Sequence, residues 1–120
     1  MKCWLVAVAL ALAACGGADG GAESYQTLDD LVQAMKDGGV ECTGLDADSQ
    51  GNLIREGGSC EVGSEQVAVY TFGSDESLDN WFKVANAFGG IHVVGDRWVV
   101  SPEKQDTAED IQEAIGGEVR

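Results

Sequence analysis

The sequence has 120 residues, with 7 Lys and Arg against 21 Asp and Glu, one His, four Cys, seventeen Gly and one Pro. That length supports one small domain and excludes a multi-domain enzyme. A formal charge of −14 argues against nucleic-acid binding, where affinity comes mainly from Lys and Arg on phosphates, and the single His excludes a His-rich metal centre.

Met1-Lys2 gives a short positive start, and Cys3 through Ala14 is an unbroken apolar run. At about 1.5 Å per residue the run reaches roughly 18 Å as a helix, short of a ~30 Å hydrocarbon core. Its length, its lysine and the small residues after it fit a secretory signal peptide over residues 1–14. The run ends in Leu12-Ala13-Ala14-Cys15, which resembles the lipobox of bacterial lipoproteins: an aliphatic residue, two small ones, then cysteine. The resemblance implies that the Cys15 thiol carries a diacylglyceryl group, that the preceding peptide is removed, and that the chain is anchored to the outer face of the cell membrane. Two acyl chains give stable attachment where one is marginal. In an envelope with two membranes, Gly16 lacks the aspartate associated with inner-membrane retention, which implies the outer membrane. The lipobox, tether and small cysteine-paired domain together are similar in layout to small lipoproteins of high-GC, actinobacterial type. The motif itself covers only residues 1–15 and implies address and anchoring, not chemistry.

With Cys3 removed in the leader and Cys15 lipidated, Cys42 and Cys60 remain, and two thiols in an exported domain are expected to pair. A two-cysteine metal site is the competing arrangement, but no further Cys and no nearby His completes a tetrahedral shell.

Residues 15–24, rich in Gly, carry no apolar pattern and read as a flexible tether with a typical end-to-end span of roughly 18 Å; residues 25–120 form a single domain. Thr27 is placed to cap a helix carrying Leu28, Leu31, Val32 and Met35 at helical spacing, ended by Gly38-Gly39. Short strands are expected around Cys42, Leu53-Ile54 and Cys60–Val62. Between the first two, Asp46-Ala47-Asp48-Ser49-Gln50-Gly51-Asn52 resembles the start of an EF-hand calcium loop, with Asp46, Asp48, Gln50 and Asn52 as oxygen donors. This makes a Ca2+- or cation-responsive binding domain the alternative function. The twelfth position is Gly57 where the family has a bidentate Glu, and Glu56 comes one residue early. A solvated turn between strands accounts for the same composition.

Gln66–Phe72 alternates as a strand. A second helix starts near Ser74 or Asp75 and sets Leu78, Trp81, Phe82, Ala85 and Phe88 on one stripe, read as core packing. Ile91–Val94 and Arg97–Val100 flank Gly95-Asp96, a hairpin signal that pairs Val93 with Trp98 and Ile91 with Val100; His92, Val94, Arg97 and Val99 then share the other face. A third helix is expected from Asp106 or Thr107, with Ala108, Ile111 and Ile115 inward, ending at Gly116-Gly117. The predicted fold is α+β: a small two-layer domain, an antiparallel sheet of about 4–5 strands backed by about three helices, with one disulfide.

No residues assemble into recognisable catalytic machinery. His92 is the lone histidine, no Gly-x-Ser-x-Gly elbow surrounds any serine, and the acids are too many to single out a pair. Gly57-Gly58 is not followed by the Lys-Ser/Thr of a phosphate loop. The sequence therefore predicts a non-catalytic binding module of the cell envelope with no cofactor, held to the membrane through lipid and open to an envelope protein partner. Losing Lys2 makes the mature chain still more acidic, so anionic headgroups repel it and attachment depends on the lipid.

Overall fold

The structure, a computed structural model, describes residues 23–49 and 53–120. Thr27 caps α1 (Leu28–Asp37) as its residue type predicts, its hydroxyl accepting from the Asp30 N–H at 3.1 Å, with Asp29 and Asp30 complementing the dipole in the first turn. The helix turns Leu28, Leu31 and Met35 inward. β1 (Thr43–Ser49), β2 (Glu56–Val62) and β3 (Glu65–Thr71) follow as a meander, then α2 (Asp75–Ala87), β4 (Val93–Val94), β5 (Trp98–Ser101), α3 (Gln105–Ile115) and β6 (Glu118–Val119). The strands form one six-stranded sheet in the order β1-β2-β3-β5-β4-β6, every neighbouring pair antiparallel. The chain is an α+β domain with one disulfide, Cys42–Cys60.

Strand alternation decides which helix covers which face. Val67, Val69, Val93, Trp98 and Val100 pack with Leu28, Leu31 and Met35 of α1 and with Ala108, Ile111 and Ile115 of α3. Phe72, Val94 and Val99 point the opposite way and meet Leu78, Trp81 and Phe82 of α2. The helices thus divide between the two faces, α1 and α3 over the larger core and α2 over the smaller, which adds a partial third layer to the expected pair.

Four local details differ from the sequence reading. Leu53-Ile54 forms no strand, although Arg55 N–H bonds the Thr71 carbonyl just before β2 begins. β6 is an extra strand: Gly116 and Gly117 both take positive φ (84° and 90°), conformations open to Gly, and turn the chain back onto β4. The hairpin register is displaced by two residues, with Val93 opposite Val100 and Val94 opposite Val99. The turn is Asp96-Arg97, Arg97 adopting φ 67°, because Gly95 is needed elsewhere: it lies opposite Trp98, where a Cβ would overlap the indole. The displacement is even, so the predicted faces survive. Finally, Phe88 is 87 % exposed; α2 carries the end of its stripe into solvent and not into the core.

Both disulfide cysteines lie in the larger core, Cys42 at 7 % and Cys60 at 2 % exposure. Reducing the bond should lower unfolding free energy by about 3 kcal/mol on the chain-entropy model. Urea titration with and without reductant reads this as a lower midpoint; coincident curves would contradict it.

Candidate functional site

The first described residues are held by an aromatic contact. The Trp98 indole Nε1–H donates to the Glu23 carbonyl at 2.7 Å, and the Tyr25 ring packs against it with centroids 6.2 Å apart. Trp98 itself is fully buried. Its cavity exists because two glycines give way: Gly95, and Gly117, whose Cβ would sit 3.1 Å from the indole and 2.8 Å from the Val94 carbonyl oxygen. Burial, aided by the nearby Glu23 charge, raises the Tyr25 pKa above its ordinary value. The expected tether overlaps the described residues only at Glu23 and Ser24, and Glu23 already belongs to the folded unit. The expected signal peptide, residues 1–14, and Cys15 lie outside the described residues.

Beside Tyr25, an open groove of about 780 Å³ runs between the ends of α1 and α3, with Glu23, Asp37 and Glu113 in its lining. Gly38 lets the two helices meet there, since a Cβ would come within 2.6 Å of the Ala114 Cβ. The acids favour cationic groups, but the groove is wide open to solvent, which screens them.

The second cluster lies under α2. The corrected register puts His92 directly across from Ser101, and His92 Nδ1 meets Ser101 Oγ at 2.7 Å. The imidazole is 7 % exposed and its Nε2 is buried without a hydrogen-bond partner. Trp81 and Phe82 stand edge-on to it, centroids 5.9 and 5.6 Å away. The backbones of His92 and Arg120 exchange two hydrogen bonds, and the Arg120 guanidinium lies 5.3 Å from the Phe82 centroid. Burial raises the pKa of Tyr70, whose ring packs on Trp81 at 4.8 Å. A Ser–His hydrogen bond is half of a nucleophile–base arrangement. Here Nε2 lacks the carboxylate that orients the imidazole in a triad, and two aromatic rings cover it. The geometry is that of a packed polar pair.

Of the residues of the calcium alternative, the structure describes two. Asp46 and Asp48 belong to β1, with Asp46 opposite Ser59 at an irregularity in the ladder; Gln50 and Asn52 lie outside the described residues. Glu56 is occupied differently, its Oε1 accepting from the Leu28 N–H at 2.8 Å in the first turn of α1. Among the described residues no three His, Cys, Asp or Glu side chains gather as a metal site, and no helix is long and apolar enough to cross a membrane.

Sequence reasoning missed Ser101 as the partner of His92, because that pairing depends on the turn being Asp96-Arg97. It also missed Glu23 as a docking point; a tryptophan indole needs an acceptor when buried, but which carbonyl supplies it is a tertiary matter. A scan against protein-family models gives no match, and neither does a search of curated proteins or of solved structures.

Proposed function

We propose that the chain is a lipid-anchored lipoprotein, exported and fastened by Cys15 to the outer face of the membrane, where its folded domain acts as a non-catalytic binding module for another envelope component. The observation that carries this reading is the fastening of Glu23 to Trp98. With Leu12-Ala13-Ala14-Cys15 as the lipobox, seven residues, and so eight residue steps, separate the acylated cysteine from Glu23, where the chain joins the domain. Such a length spans at most about 28 Å when extended, so the domain works within its own diameter of the bilayer. The Cys42–Cys60 disulfide is the chemistry of an oxidising compartment, and the strong negative charge keeps a membrane-tethered domain soluble.

Cys15→Ala tests the anchor. The wild-type protein should sediment with membranes and dissolve in detergent, whereas the variant should leave the membrane fraction. A variant that sediments as completely as wild type would refute the lipid attachment. Crosslinking in intact cells, followed by detergent extraction, then identifies the envelope partner.

A further inference from the structure

The groove beside Tyr25 is where two helices end. Ala34 and Asp37 reach it from the last turn of α1, and Gln112, Glu113 and Ala114 from the last turn of α3. Two helix dipoles therefore present their negative ends to one space. Acids at such ends oppose the dipole and cost stability, yet Asp37 closes α1 and Glu113 stands in the last turn of α3. Nothing in the lining offsets them. Lys36, the base in the last turn of α1, borders a different opening beside Thr43 and Leu45, and α3 has no base in its last turn. Among the described residues the ion pairs are Arg97–Asp75 and Arg120–Glu118, so Glu23, Asp37 and Glu113 are not neutralised within the fold. Past Gly38 and Glu113 the acidic wall continues into a second opening of about 460 Å³ with Glu41 and Asp110. No Lys or Arg lines either opening.

The rest of the groove is apolar, with Tyr25, Ala34, Ala114 and Ile115, and its volume lies in the ~300–1,000 Å³ range of ligand sites. A local rule broken at two helix ends, with no compensation inside the fold, points to compensation from outside. We infer that this groove is the docking site of the domain and that its occupant is a basic peptide segment of the envelope partner, aliphatic side chains against Tyr25 and Ala34 and Lys or Arg groups against Glu23, Asp37 and Glu113. The inference rests on the reading of the domain as a binding module and names its partner's chemistry. Charge complementarity selects this occupant. A second copy of the chain carries the same −14, and anionic headgroups are repelled. A metal ion is not served, because no three carboxylates gather as a metal site among the described residues; carboxylates spread along a groove match several cationic side chains instead. Solvent screens a lone ion there, but a peptide lying along the groove brings its charges well within a Debye length of the acids.

The test measures binding of a fluorescent peptide of alternating lysine and leucine to the full-length protein in detergent, by anisotropy. Asp37→Asn with Glu113→Gln should weaken binding several-fold while leaving the urea midpoint equal or higher, since the charges removed oppose the helix dipoles. Glu76→Gln with Asp79→Asn removes the same charge on α2 and should leave binding unchanged. A peptide with glycine in place of leucine should bind several-fold more weakly. Equal weakening by both pairs of substitutions would show that the peptide reads net charge alone and overturn the groove. Displacement by spermidine as effective as by unlabelled peptide would assign the groove to small cations and overturn the peptide. No binding by wild type would overturn this inference and leave the membrane anchor, read separately through Cys15→Ala, standing.

Discussion

Trp98→Ala should lower the unfolding free energy by about 3–5 kcal/mol, a large part of the 5–15 kcal/mol that holds a typical domain folded. The ring is fully buried in the larger core, and Gly95 and Gly117 are shaped around it, so the hole left behind has backbone on two sides and little freedom to collapse. Trp98→Phe separates the two roles of the residue. It keeps most of the packing but loses the N–H donated to Glu23, at a cost of about 1 kcal/mol for the hydrogen bond, and it frees the chain before Tyr25. Urea denaturation measures the first effect, and limited proteolysis ahead of Tyr25 the second. An alanine variant as stable as wild type would show that the indole does not organise the hairpin end.

The second large effect is expected at Glu65. Its carboxylate, 6 % exposed, replaces the missing side-chain cap of α3, where Lys104 stands at the N-cap and makes no side-chain cap bond. Glu65 Oε2 accepts from the backbone N–H groups of Glu103 and Lys104 at 2.6 and 2.9 Å, and Oε1 from the Thr107 hydroxyl at 2.5 Å. Burial alone would raise its pKa. The bonds from Thr107, Lys104 and Glu103, with the Lys104 charge, outweigh that and lower it below the ordinary 4.5. A lowered folded-state pKa means that ionised Glu65 stabilises the fold fully above the ordinary value, and that this contribution fades as pH falls through the lowered one. Glu65→Ala should cost about 2–3 kcal/mol at neutral pH. Glu65→Gln should cost less, and its deficit against wild type should shrink as the medium is acidified below pH 4.5. Unfolding curves at neutral and acid pH read both; a deficit independent of pH would contradict the capping role.

These two residues also mark where the sequence stops being legible. α1 could be read to its ends because its cap, Thr27, and its apolar period are local. α3 begins at Gln105, a residue or two ahead of the expected start at Asp106 or Thr107, because Thr107 donates to a carboxylate on β3, and a cap supplied across the fold leaves no local signature. Glu56 of β2, which accepts from the Leu28 N–H in the first turn of α1, is a second case. In the hairpin, Gly95 is a turn signal by composition, yet it is used as space for the Trp98 ring. That moved the register and hid the His92–Ser101 pair. Phe88 fits the helical period of α2 but outlies the surface that α2 covers, which periodicity cannot show. The cysteine pairing was legible because the lipobox resemblance assigned the other two cysteines, and Cys42 and Cys60 do pair.

The most direct measurement of the account is intact-mass and fragment mass spectrometry of the protein extracted from membranes of its host. The account predicts a chain that begins at Cys15, with residues 1–14 gone and the sulfur carrying a diacylglyceryl group. A chain that keeps its leader, or one with an unmodified thiol at Cys15, would contradict it.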